Sequence, residues 1–130
     1  MVSSSGKLFF SLYDPSGGYD LWVSNGTLSS TKKINAVYIN PGSSYSLSQF
    51  AGKEVNGTTY FTADDGTHGY ELWKTDGTAQ GTNLVKDLSL GDCRFSSSGI
   101  VSTGDTLFFT AALQGNGENF SRLFRTDGTA

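Results

Sequence analysis

Apolar residues fall along this chain in short runs, several with adjacent aromatics, separated by segments rich in Gly, Ser, Thr and Asn. The clearest runs are Leu8-Phe9-Phe10-Ser11, Thr59-Tyr60-Phe61-Thr62 and Leu107-Phe108-Phe109-Thr110. Neighbouring side chains on a strand point to opposite faces, so strands of this kind need cover on both sides. A second apolar run follows each one: Tyr19-Asp20-Leu21-Trp22, then Tyr70-Glu71-Leu72-Trp73, then Leu123-Phe124. A β-like run comes after the first two of these, at Thr31 to Tyr38 and Thr82 to Leu88, and a weaker one precedes the second and third aromatic strands, at Ser46 to Ala51 and Gly99 to Thr103. The order is weak strand, aromatic strand, Leu-Trp strand and Thr-Asn-Leu-Val strand, with turn residues between them, which describes a four-stranded antiparallel meander.

The unit repeats. Tyr19-Asp20-Leu21-Trp22-Val23-Ser24-Asn25-Gly26-Thr27 returns 51 positions later as Tyr70-Glu71-Leu72-Trp73-Lys74-Thr75-Asp76-Gly77-Thr78, and after a further 51 as Leu123-Phe124-Arg125-Thr126-Asp127-Gly128-Thr129. A period of about 50 residues holding four strands marks an all-β fold of propeller-like blades, because one small sheet cannot bury both its faces alone. Three partial or complete blades are expected: residues 1–43 with a truncated first strand, 44–94 as a complete blade, and 95–130 without its last strand. Met1-Val2 falls in register with Ile100-Val101, so a trimmed first strand is expected at the start. Propellers have four to eight blades. Closure is therefore expected from a second copy, which would make six blades, or from flanking repeats of a longer chain.

The Asn25-Gly26, Asp76-Gly77 and Asp127-Gly128 pairs read as structural corners between third and fourth strands. Gly adopts positive φ freely, Asn and Asp tolerate it, and the following Thr can bond back into the turn. Trp22 and Trp73 read first as packing anchors between blades and second as sugar-stacking platforms, since a flat apolar ring with an N–H handle suits carbohydrate. The joints between second and third strands vary most: Tyr13 to Gly18, Asp64-Asp65-Gly66-Thr67-His68-Gly69, and a longer Ala112 to Asn119. Variation on a constant scaffold makes that end the better binding face. Its candidate ligand-binding residues are Asp64, Asp65, His68, Tyr70, Asn116 and Asn119, with Trp22 and Trp73 for sugar stacking.

Composition narrows the chemistry. The net charge of −3 and the lack of a Lys/Arg cluster argue against a nucleic-acid partner. No apolar run is long enough for a transmembrane helix, and Met1 to Gly6 has neither the basic flank nor the apolar stretch of a signal peptide. Cys93 is the one cysteine, so a disulfide within the chain, a Cys/His zinc site and a redox pair are all ruled out. Asp64 to Glu71 has the acidic, Gly-rich look of a calcium loop without the full alternating ligand spacing, so a solvated turn is the default and no metal is assigned. Nucleophile elbows, phosphate-cradling loops and metal-binding His pairs are missing. Asp64, Asp65, Glu71 and Asp76 could in principle supply a glycosidase pair, but they follow the repeat where catalytic residues would break it, so no catalytic residue is assigned. Asn25, Asn56 and Asn119 head glycosylation sequons that would be used only in a secretory pathway.

The segment Tyr60-Phe61-Thr62-Ala63-Asp64-Asp65-Gly66-Thr67-His68-Gly69-Tyr70-Glu71-Leu72-Trp73-Lys74-Thr75-Asp76-Gly77-Thr78, followed by Gly81-Thr82-Asn83-Leu84-Val85-Lys86-Asp87, closely resembles the ELWxxDGT repeat family. In degenerate form the resemblance covers essentially the whole chain. It implies a propeller-like β repeat of large secreted or cell-surface proteins, chiefly bacterial, often without a defined activity. The first copy departs from the pattern at Asp20, Ser24 and Asn25, and the third replaces Glu-Leu-Trp by Arg122-Leu123-Phe124. The expected function is a non-enzymatic extracellular interaction or adhesion scaffold, with self-assembly or glycans as partners. A carbohydrate-binding lectin is the alternative, and a glycosidase fragment comes third.

Overall fold

The computed structural model describes residues 2–15, 18–39, 52–87, 94–95, 100–115 and 118–127. They form three antiparallel sheets. The first is built in chain order from β1 (Val2–Ser4), β2 (Lys7–Asp14), β3 (Gly18–Ser24) and β4 (Lys32–Ile39), with a 3-10 turn at Leu28–Ser30. The second contains β5 (Lys53–Val55), β6 (Thr58–Asp64), β7 (Tyr70–Thr75) and β8 (Asn83–Lys86), again in chain order. In the third, β10 (Val101–Thr103), β11 (Thr106–Gly115) and β12 (Glu118–Thr126) pair in sequence, and β9 (Arg94–Phe95) also pairs with β11, beside Ala111 and Ala112. The all-β repeat of antiparallel meanders expected from the sequence is observed, with four strands in chain order in each of the first two sheets and three in the third.

Register repeats as strictly as sequence does. Val2 lies opposite Phe9, Lys53 opposite Tyr60 and Val101 opposite Phe108. Phe10 lies opposite Trp22, Phe61 opposite Trp73, and Phe109 opposite Phe124. Each sheet therefore has a leading face, carrying Phe10, Phe61 or Phe109 with its partner ring, and a trailing face, carrying Phe9, Tyr60 or Phe108.

The faces stack in one direction. The trailing face of the first sheet, with Phe9, Leu21, Val23 and Ile34, packs on the leading face of the second, with Phe61, Ala63 and Trp73. The trailing face of the second, with Val55, Tyr60 and Leu72, packs on Leu107, Phe109 and Phe124 of the third. Among the described residues, only the second sheet is covered on both faces. The adjacent rings Tyr60 and Phe61 are both buried, on opposite sides, which is why the chain places two aromatics in succession there. Each such fully buried side chain stabilises the fold by about 1.5–3 kcal/mol.

Polar contacts repeat between sheets along one edge of the stack, where first strands turn into second. The Ser5 backbone N–H and hydroxyl donate to the Glu54 carboxylate at 3.1 and 2.7 Å, Asn56 Nδ2 donates to Asp105 at 3.0 Å, and Lys7 Nζ donates to the Asp76 carbonyl at 2.7 Å.

Two expectations on strand placement change. The weak strand expected at Ser46 to Ala51 lies outside the described residues, and the strand that pairs with the aromatic β6 is Lys53–Val55, too polar to announce itself. The long joint expected from Ala112 to Asn119 is largely paired: Leu113 lies opposite Phe120, Gln114 opposite Asn119 and Gly115 opposite Glu118. The extra residues of the third copy extend a hairpin ladder, which satisfies their backbone groups more fully than an open loop would.

Candidate functional site

The two ends of each meander do different work. At the signature end, the corner after β7 is held by side chains. Asp76 Oδ1 accepts the Thr78 N–H at 2.8 Å and the Thr78 hydroxyl at 2.7 Å. The Thr75 hydroxyl accepts the Gly77 N–H at 3.0 Å and lies 2.7 Å from the Thr82 hydroxyl, which donates to the Thr78 carbonyl at 2.6 Å. These bonds lower the pKa of Asp76, chiefly through the Thr78 hydroxyl.

The corner after β3 repeats this network with other residues. Asn25 Oδ1 accepts from the Thr27 N–H and hydroxyl at 3.3 and 3.0 Å. The Ser24 hydroxyl accepts the Gly26 N–H at 3.0 Å and lies 2.7 Å from the Thr31 hydroxyl, which donates to the Thr27 carbonyl at 2.7 Å. Where the second copy has Gly81, the first has Ser30, whose hydroxyl donates to Asn25.

The corners differ from the expected turn in one respect. Gly26 and Gly77 take positive φ, of 97° and 93°, but Asn25 and Asp76 do not, and they act through their side chains instead. Non-Gly residues at positive φ are Ser5 (46°) and Asn56 (51°), each followed by a glycine also at positive φ. The two-residue turns joining first to second strands are therefore Ser5-Gly6 and Asn56-Gly57, with positive φ at both positions, and Gly104-Asp105, with positive φ (55°) at its glycine.

At the opposite end, residues 65–69 join β6 to β7. Asp64, nearly buried, accepts the Gly66 N–H at 2.8 Å. Asp65 Oδ1 accepts the N–H groups of Thr67 and His68 at 2.9 and 2.8 Å, and its Oδ2 lies 2.7 Å from His68 Nδ1. Burial opposes ionisation of Asp65, but the bonds from His68 and Thr67 outweigh it and hold the carboxyl below 3.8. The same hydrogen bond, with the Asp65 charge behind it, raises His68 above 6.5. Asp65 and His68 thus form one half-buried pair at this loop, and the backbone of Tyr70 pairs with Asp64 beside it.

The other sequence-predicted residues are dispersed. Trp73 lies in the core between the first and second sheets. Trp22 stands half-buried on the leading face of the first sheet, its ring 6.5 Å from that of Phe10. The indole Nε1 of both is enclosed and has no hydrogen-bond partner among the described residues, so neither ring displays its polar handle. Asn119 is a β12 residue opposite Gln114, and Asn116 lies outside the described residues, as does Cys93.

Of the four carboxylates considered for an acid pair, Asp64 and Asp65 bond to their own turn, Glu71 is wholly buried within β7, and Asp76 sits at the far end of that strand. No group of three or more His, Cys, Asp or Glu residues suited to a metal occurs among the described residues.

Sequence reasoning passed over an ion pair beside Trp22. Lys33 Nζ lies 2.7 Å from Asp20 and 3.9 Å from Asp14, and its pKa is raised mainly by the Asp20 bond. The spacing of Lys33 from Asp20 carries no motif, and only strand pairing brings them together. The Ser24–Thr31 and Thr75–Thr82 pairs did leave a signal, two hydroxyl residues seven positions apart in both copies.

Comparison of the chain with protein families, curated proteins and solved structures gives no match. Geometry and internal repetition therefore carry the functional reading.

Proposed function

We propose that this chain is a non-enzymatic interaction scaffold of the extracellular or cell-surface kind, built from ELWxxDGT-type repeats, self-assembling and presenting its partner-binding residues at the Asp65–His68 end. The observation that carries the reading is the pair of matching side-chain networks at the corners after β3 and β7. They occupy the polar groups of the signature in holding the fold. What differs between copies gathers at the other end, where a binding role costs the repeat nothing.

The reading is tested by retention of the labelled chain on bacterial surfaces and on glycan- and protein-coated plates. Asp65→Asn with His68→Ala is expected to abolish retention while the far-UV circular dichroism spectrum of the folded chain is unchanged. Equal retention of the double variant and the parent would overturn the reading.

A second reading, a carbohydrate-binding lectin, is favoured by one observation: the Phe10–Trp22 pair is half-open at the end of the stack. It expects glycan-array binding that Trp22→Ala removes and Asp65→Asn leaves intact.

A further inference from the structure

The stack has two unlike ends, and the structure itself shows what fits each. The leading face of the first sheet carries Phe10, Trp22 and Leu12, the last 47 % exposed. At the same repeat positions, Phe61 and Trp73 are buried beneath the trailing face of the preceding sheet. The trailing face of the third sheet carries Phe108, Val101 (59 % exposed) and Leu123 (70 % exposed). The residues equivalent to Leu123 are Leu21 and Leu72, at 0 % and 1 %, each covered by the leading face of the following sheet. One surface type thus meets the other twice, and among the described residues it is left without a partner once at each end of the stack.

From this continuity with the internal interfaces we infer that a second copy of this chain supplies the missing cover. The trailing face of its third sheet packs on the leading face of the first sheet, and the reverse contact closes the pair. The inference deepens the self-assembly named in the proposed function and rests on that part alone.

The contact is heterologous, since the two faces differ, and heterologous contacts close into rings or run on as filaments. Sheet number selects the ring. One copy brings three sheets, two bring six and three bring nine, and only six falls in the range of four to eight blades over which such rings close. The predicted particle is a two-copy, six-sheet ring with two identical junctions. Charge does not oppose the contact: Asp20 on the leading face is already paired with Lys33, and Arg125 on the trailing face brings a cation toward that side.

The test is solution mass by light scattering on the full chain in reducing buffer, which removes any disulfide through Cys93. The expected mass is twice 13.8 kDa. Leu12→Asp and Leu123→Asp are each expected to give the single-copy mass. Both sites are exposed in one copy, so far-UV circular dichroism should be unchanged. A parent of single-copy mass at 100 µM overturns the inference, as does a larger open assembly. Loss of the pair in only one of the two variants points to a symmetric face-to-face contact and overturns it equally.

A second measurement is independent of these charges. Trp73→Phe leaves Trp22 as the sole indole, and the third copy already uses Phe124 at that position. Trp22 emission should then shift to the red on dilution through dissociation, and emission independent of concentration counts against the ring. A single copy that still adheres to surfaces sinks the ring and spares the scaffold reading, whereas a ring that adheres to nothing does the opposite.

Discussion

A buried hydroxyl that serves the backbone is replaceable only by another hydroxyl. Thr75 is fully buried, accepts the Gly77 N–H and bonds to Thr82. Thr75→Val keeps the shape but strands the Gly77 donor and takes from the Thr82 hydroxyl one of its two partners, at a cost of about 1–3 kcal/mol. Thr75→Ser, the residue the first copy uses as Ser24, should cost much less. Urea denaturation of the two variants checks the difference. Asp65 and His68 give a second prediction. His68 titrates above 6.5 when folded, so its stabilisation is complete below that pH and is lost as pH rises through the raised value. Asp65 titrates below 3.8 when folded, so its stabilisation is present above 3.8 and is lost as pH falls through the lowered value. The advantage of the parent over Asp65→Asn in melting temperature should be greatest between those limits. In that variant the His68 titration, followed by NMR, should move back toward 6.5.

Among strands, position in the stack decides what a residue is worth. Phe61 is covered by a neighbouring sheet and Phe10 is not, although both occupy the same register position. Phe61→Ala should therefore cost about 3–5 kcal/mol by leaving a cavity. Phe10→Ala should cost less in a single copy, which chemical denaturation at low concentration would show. Gly57 supplies an element-level test of backbone alone. Its φ is 78° and nothing lies within 4 Å of where a Cβ would sit, so Gly57→Ala pays only for the left-handed conformation, about 1 kcal/mol. The aromatic and Leu-Trp strands were legible in the sequence because doubled rings at a fixed period leave few arrangements that cover both faces. Lys53-Glu54-Val55 was not legible: its place comes from hydrogen bonding to β6 rather than from a buried stripe. The joint after β11 misled because its Gly and Asn content resembles a loop, while its backbone continues the ladder. At the candidate site, the Asp64 to His68 turn was legible from its acidic, Gly-rich composition. The burial of Trp73, against the half-exposure of Trp22, depends on which neighbours exist and could not be read from either copy alone.

At the scale of the molecule, the same Leu in three copies meets two fates: Leu21 and Leu72 are covered, and Leu123 is exposed. Leu72→Lys should unfold the chain, because it places a charge between two sheets, whereas Leu123→Lys should leave the fold intact; circular dichroism separates the outcomes. The double cover of the second sheet has a further consequence, in the timing of backbone exposure. In a stack where each unit touches only its neighbours, the outer units can open while the middle one stays closed. Amide hydrogens of β6 and β7 should therefore exchange with deuterium only through global unfolding. Those of β2 and β12 should exchange sooner, through fraying from either end. The first and third sheets shield the second from solvent, and the amides of both outer sheets should exchange before those of the sheet between them.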